Sequence, residues 1–471
     1  MDPHASLELR TPVTHRPPIV PGLPPRRAEG EKDPAVDLES ERSPPRVGEG
    51  DPFGDEGDHD IKFKTMTWWQ TAMIMIAETI SLGILSLPSV LDTVGLVPGC
   101  ILIIGLGIIA TYTGYVLGQF KMRYPHVHTF AEAGEIIMGG FGRELFAAAQ
   151  VIFLVFIMGS HILTFSIMLN VTTGHATCTI VFTIVGLLVS LVCTIPRTMR
   201  MVSYFSIVSF VSILGAVFIT MIGVGVEGRT PPLEVSARPG TPFWLAFGAV
   251  GNIIFAYAGH LAFFSFISEM KNPHDYPKAL CALQVSDTIL YLVAAVVIYR
   301  YTGADVTSPA LSASTKILEK IAYGVAIPTI VIAGVINGHV AAKYIYVRMF
   351  RNSEHLGSRS WYATFIWMLI ITVLWIVAWV IASAIPVFNN LLGLISALFV
   401  SWFTYGISGW FWIHMNRGQL WSTRRKSFLT IVNALIMCMG ATIMVCGLYS
   451  SGMGIREQKG GRPFSCDDNS V

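Results

Sequence analysis

Five titratable side chains stand inside long apolar stretches: Glu78, His161, His260, Asp287 and His339. An ionisable group in hydrocarbon is costly, so each is a candidate for moving a proton or meeting a polar solute. Two of them border interruptions. Glu78 lies five residues before Gly83 in Ser81-Leu82-Gly83-Ile84-Leu85-Ser86-Leu87-Pro88. Pro88 cannot donate to the carbonyl of Ile84, and Gly83 removes side-chain bulk where a ligand could touch backbone. His260 lies in Gly251-Asn252-Ile253-Ile254-Phe255-Ala256-Tyr257-Ala258-Gly259-His260, where two glycines and the histidine interrupt the apolar run. The alternatives are ordinary ones: a kink at Pro88, a packed histidine bonded to a neighbouring carbonyl, and Glu78 capping broken backbone.

The elements that would position these residues are membrane-spanning helices. The 471 residues are 53% hydrophobic and only 13% charged, about half the charge of a soluble domain. A helix of roughly 20 apolar residues crosses the hydrocarbon. Eleven such runs are found, at about 68–91, 94–119, 145–170, 177–195, 201–226, 243–267, 279–300, 321–342, 361–385, 388–414 and 428–450. The expectation is an all-α polytopic protein embedded in a lipid bilayer. With the N-terminus in the cytoplasm, the short inward loops carry 15 Lys and Arg residues and the outward loops 5, which is the positive-inside bias. The glycosylation sequon Asn170-Val171-Thr172 then faces outward, but close to the membrane end of its helix, where a glycosyl transferase reaches poorly.

Residues 1–60 differ. They hold 14 of the 30 acids, 7 of the 32 bases and 11 of the 25 prolines, a balance of −7 that leaves +9 on the rest. They read as a disordered, acidic, Pro-rich cytoplasmic tail and not as a signal peptide. Residues 61–450 form the membrane domain, and 451–471 a short tail expected outside. Basic residues sit in short loops, which argues against nucleic-acid binding. Six of the seven cysteines, Cys100, Cys178, Cys193, Cys281, Cys438 and Cys446, lie in or beside apolar runs without Cys-x-x-Cys spacing. They read as buried small hydrophobes, with neither a disulfide framework nor a metal site, and no cofactor is expected.

Eleven is ten plus one, and ten helices divide into two halves of five, the second inverted. Transporters with such a 5+5 repeat bind substrate where the first helix of each half is broken. The two interruptions fall in the first and sixth runs, as that architecture requires. Free N–H groups of Leu82, Gly83 and Ile84, beside Ser81, would meet a carboxylate at a helix N-terminus. Carbonyls of Phe255, Ala256 and Tyr257 would meet an ammonium. Phe165, Phe255 and Tyr257 would supply apolar bulk around a side chain, with lipid-facing packing as the alternative for any one aromatic. Glu78 and His260 are the leading proton-coupling candidates. A sodium site would draw on the eighth run, where Asn337 has no Ser or Thr pair beside it.

Phe255-Ala256-Tyr257-Ala258-Gly259-His260, followed by Ser268-Glu269-Met270-Lys271-Asn272-Pro273-His274-Asp275-Tyr276-Pro277-Lys278-Ala279, resembles the signature of the amino acid/auxin permease family. Gly83-Ile84-Leu85-Ser86-Leu87-Pro88 is similar to that family's first-helix motif. The resemblance spans about residues 62–450 and is closest to fungal neutral amino-acid permeases. Many members carry a proline between the Gly-His and Glu-Met pairs, where this chain has Phe263-Phe264-Ser265-Phe266. The resemblance implies a secondary active transporter importing neutral aliphatic and aromatic amino acids, with protons as the coupling ion, in the plasma membrane or alternatively the vacuolar membrane. It also implies a role for Asp275 and Lys278 at an inner gate, against the plainer reading of a solvated turn. The rivals are an amino-acid sensor sharing the fold, a vacuolar exporter and, more remotely, a membrane-embedded enzyme; the scattered histidines lack the clustering an enzyme of that kind needs.

Overall fold

The computed structural model describes residues 64–469 apart from 65, 197–201, 230, 232–234, 237–239, 351–359 and 458–461. All described residues belong to the unit Gly48–Val471. The tail 1–60, and the loop charges Arg197, Arg200, Arg238, Arg351 and Arg359, lie outside them.

The described residues form helices and no strand; one isolated bridge pairs Met66 with Met270. In hydrocarbon every backbone polar group must be satisfied within its own segment, and a helix does this. The helices are α1 (Trp68–Thr79), α2 (Leu87–Val94), α3 (Leu96–Arg123), α4 (Phe130–Thr173), α5 (Thr179–Thr194), α6 (Val202–Glu227), α7 (Phe243–Ala256), α8 (Phe263–Ser268), α9 (Tyr276–Thr302), α10 (Lys316–Met349), α11 (Trp361–Ala384), α12 (Phe388–Ile395), α13 (Ile407–Met415) and α14 (Arg424–Arg456). A π-helical segment, Ser396–Gly406, joins α12 to α13. α14 continues six residues past 450, the expected start of the C-terminal tail.

Among the described residues, nine helical stretches are long and apolar enough to cross a membrane, and nine of the eleven runs coincide with them to within a few residues. The remaining two runs are 68–91, which the structure breaks into α1 and α2, and 177–195, which is the 16-residue α5. Large apolar side chains stand exposed on many helices, among them Ile108, Val211, Ile222, Phe365, Leu435 and Val445. Water would not tolerate so much exposed apolar surface on a monomer, whereas lipid accepts it. α11 and α14 bury the smallest shares of their apolar stretches and so present the most surface outward. The interior is formed by α1, α2 and α3 packed on α9, by α10 packed between α4 and α6, and by α14 against the π-helical segment.

The cysteine expectation is corrected. Cys178, at the start of α5, is disulfide-bonded to Cys466. Cys193, Cys281 and Cys438 are exposed, and Cys100 and Cys446 half-buried, so none of the five free thiols is a core residue. The 288-residue separation of the pair explains why spacing gave no hint of it. Around this bond the C-terminal segment is pinned at several points. The Phe464 amide donates to the Ser383 carbonyl, Thr179 Oγ1 donates to the Asp467 carbonyl (2.6 Å), and Asn469 Nδ2 donates to Ser166 Oγ (2.9 Å). The sequon residue Asn170 is buried, its amide donating to Thr179 Oγ1 and Asn469 Oδ1.

Candidate functional site

α1 stops at Thr79. Ile80 is extended (φ −79°, ψ 90°), a short 3-10 turn follows at Gly83–Leu85, and α2 restarts with Pro88 in its first turn. Proline suits that place because the first-turn N–H has no intrahelical acceptor in any case. The interruption frees donors. The N–H groups of Leu82, Gly83 and Ile84 have no acceptor among the described residues, while those of Leu85 and Ser86 bond to the Leu82 and Gly83 carbonyls. Ser81 Oγ is shielded from solvent and has no partner among the described residues.

The second interruption follows α7. The chain leaves helical geometry at Tyr257 (φ −96°, ψ 19°), passes Ala258 and Gly259, turns through His260–Ala262 and re-enters helix as α8. The serine and phenylalanines that replace the resembled family's proline are helical there. Three carbonyls cluster at the end of α7: Phe255 accepts from the Ala258 amide (3.0 Å) and from the Tyr257 amide, Tyr257 from the Gly259 amide (3.0 Å), and Ala256 from the Tyr291 hydroxyl (2.7 Å). A carbonyl has two lone pairs, so the Ala256 carbonyl retains capacity for a second donor.

The two interruptions meet. A Cβ on Gly83 would lie 2.7 Å from Ala256 Cα, and a Cβ on Gly259 would lie 2.5 Å from Thr79 Oγ1. Only glycine permits these approaches. Tyr291, on α9, clips both breaks with one hydroxyl, which donates to the Ala256 carbonyl and lies 3.4 Å from the Thr79 carbonyl. Tyr257 anchors the second break to α3, its hydroxyl donating to the Ile103 carbonyl (2.9 Å) and lying 3.2 Å from Thr288 Oγ1. Unpaired donors and a carbonyl cluster therefore converge without any charged side chain.

The remaining candidates divide by their partners. His260 is fully buried, its Nε2 3.0 Å from the Ala110 carbonyl and 3.1 Å from Thr113 Oγ1, so it ties the second break to α3. His161 Nδ1 bonds the Ile330 carbonyl (2.9 Å) and His339 Nε2 the Pro196 carbonyl (2.6 Å). Glu78 is half-buried at the end of α1, without a hydrogen-bond or ion-pair partner among the described residues. Asp287 is fully buried with both carboxyl oxygens unbonded among the described residues. The Phe165 ring lies against Gly186, within the α4–α5 packing, and Phe255 is buried beside the break it precedes. Asn337 folds its amide back onto the Ala333 carbonyl of its own helix (2.8 Å). Asp275, just before α9, forms an ion pair (2.6 Å) with Lys278 in the first turn of that helix.

Sequence reasoning passed over Tyr291, the residue that clips the two breaks together. A signal was present: Gln284, Asp287, Thr288 and Tyr291 recur at i, i+3, i+4 and i+7, a polar stripe along one face of an otherwise apolar helix.

Residues 64–452 match the family model described as transmembrane amino acid transporter protein. A Neurospora crassa protein named N amino acid transport system protein is 36% identical over 429 residues, covering 88% of this chain and 91% of its own. A Gibberella moniliformis protein named transmembrane transporter is 30% identical, covering 90% of this chain and 92% of its own. The Arabidopsis thaliana amino acid transporter AVT1H is 26% identical over 252 residues, covering 50% of this chain and 55% of its own.

Proposed function

Since the chain belongs to the transmembrane amino acid transporter family, whose members carry solutes and are not enzymes, we propose that it imports neutral amino acids, aliphatic and aromatic, by proton symport. The observation that carries this reading is the meeting of the unpaired N–H groups of residues 82–84 with the carbonyl cluster of residues 255–257 where Gly83 abuts Ala256. Neither half of a zwitterion then needs a charged side chain, which suits a substrate of no net charge. Leu82, Gly83 and Ile84, with Ser81, are assigned to the carboxylate, and Phe255, Ala256 and Tyr257 to the ammonium. The apolar side chains of Phe255 and Tyr257 favour large neutral substrates, with Phe165 as a more distant contributor.

The proposed topology has eleven spans, the nine long stretches joined by the broken pair α1–α2 and by α5, in two inverted halves of five with α14 added. Breaks in the first helix of each half support it. The disulfide supports the orientation, because such bonds persist on the oxidising side of a membrane. Cys178 and Cys466 both fall on the side that the loop charges make extracellular. In the proposed orientation the folded C-terminal segment lies outside and import runs inward across the plasma membrane, with the vacuolar membrane as the alternative.

The test is uptake into proteoliposomes, with and without an imposed pH gradient, competed by a panel of amino acids. The expected result is accumulation of leucine or phenylalanine driven by an acid exterior and competed by other large neutral amino acids. Uptake that follows sodium and ignores pH overturns the coupling, and preference for charged amino acids overturns the substrate class. Binding without flux identifies a sensor.

A further inference from the structure

We propose that Asp287 is the residue that binds and releases the coupling proton, an assignment that rests on the symport reading above. Three structural observations lead there. First, its side chain is wholly buried at 0% exposure, and neither carboxyl oxygen has a hydrogen-bond partner among the described residues. An unpaired buried carboxylate is strongly disfavoured, and a neutral carboxyl avoids most of that cost. A bistable element needs a group of this kind, comfortable in one protonation state while the site is closed and in the other once it opens.

Second, Asp287 stands beside the clip that closes the site. It is one helical turn before Tyr291, whose hydroxyl bridges the Thr79 and Ala256 carbonyls, and next to Thr288, which contacts the Tyr257 hydroxyl. Both phenols are within electrostatic reach of its carboxyl. A negative charge arriving at Asp287 would act on the two hydroxyls that hold the breaks to each other and to α3.

Third, among the described residues no compensating cation is at hand. Among the described residues Tyr257 and Tyr291 are the titratable groups with an electrostatic interaction with its carboxyl. Of the elements packed against α9, α1 carries Glu78 and α2 carries Asp92. On α3 the titratable groups are Cys100, Tyr112, Tyr115, Lys121 and Arg123, and α6 ends in Glu227. None of these bonds to Asp287. Lys121 is occupied by the Pro125 and Val127 carbonyls. The other titratable candidates are less suited. His260, His161 and His339 each spend a ring nitrogen on a carbonyl that joins two elements, and Glu78 is half-buried.

In the cycle, the carboxyl takes a proton on the acidic side, the breaks close around substrate, and opening to the other side ionises it as the proton leaves. One coupled proton under a one-unit pH gradient sustains about a tenfold substrate gradient.

The experiment compares wild type, Asp287→Asn and Asp287→Glu in proteoliposomes with labelled leucine and phenylalanine. It measures both pH-driven accumulation and exchange against internal unlabelled substrate. Asp287→Asn should retain exchange while its accumulation ratio falls to one and its pH dependence flattens. Asp287→Glu should still accumulate substrate, with a shifted pH midpoint. Asp287→Asn that accumulates as wild type overturns the assignment and leaves the symport reading standing. Wild type that exchanges substrate but ignores the pH gradient overturns the symport reading and the assignment together. Loss of exchange in a correctly inserted Asp287→Asn makes Asp287 a substrate contact and overturns the proposal. Should Asp287→Asn fail to insert, an unshifted midpoint in Asp287→Glu overturns it.

Discussion

Replacing Gly83 by alanine is expected to force apart the two breaks that form the site. The added Cβ would lie 2.7 Å from Ala256 Cα, 3.0 Å from Ala256 Cβ and 3.3 Å from its backbone nitrogen. Carbon atoms rest about 3.5–4.0 Å apart, so the approach must widen by about 1 Å. A flexible side chain could swing aside, but here both surfaces are backbone, and the Ala256 carbonyl is held by Tyr291. Overpacking of this kind costs about 1–3 kcal/mol. The assay is the thermal midpoint of the purified protein in detergent, read beside uptake in proteoliposomes. Gly105→Ala on α3 is the control: nothing lies within 4 Å of its new methyl, and the exchange should be neutral or slightly stabilising. Adding Ala256→Gly to Gly83→Ala removes the 3.0 Å contact but not the 2.7 Å one, so rescue should be partial and visible as coupling in a double-mutant cycle. Gly83→Val should be worse than Gly83→Ala on both readouts. A Gly83→Ala protein as stable as wild type would refute the reasoning, and if it had also lost uptake, the methyl would be obstructing substrate rather than α7.

Tyr291→Phe removes the hydroxyl that bridges Ala256 and Thr79. Hydrogen bonds inside membrane proteins are worth about 0.6 kcal/mol on average and up to about 1.7, so a destabilisation in that range with reduced uptake is expected, and wild-type uptake would show that the clip is dispensable. Cys178→Ser frees Cys466, which should then react with a membrane-impermeant maleimide on intact cells, as peptide mapping would show. Modification of Cys466 only after permeabilisation would refute the proposed orientation.

Much of this protein follows from local chemistry. Long apolar runs become helices because hydrocarbon leaves backbone groups no other partner, so stretches such as 94–119 and 361–385 were visible as spans before any packing was known. The interruptions at 81–88 and 257–262 were visible too, since a proline without an N–H and glycines without a Cβ act on their own backbone. The unpaired N–H groups of Leu82, Gly83 and Ile84 follow from the end of α1 at Thr79, where extended Ile80 takes the next carbonyls out of reach. Tertiary structure alone decided what those groups face. That Gly83 meets Ala256 and Gly259 meets Thr79, that Tyr291 clips both breaks, that His260 ties down α3, and that Cys178 pairs with Cys466 are contacts between residues remote in sequence. Hydropathy and residue spacing report which face of a helix is buried, but not which other helix buries it. In a bilayer that choice rests on close packing and a few shared hydrogen bonds, and those are settled only when all the helices are in place.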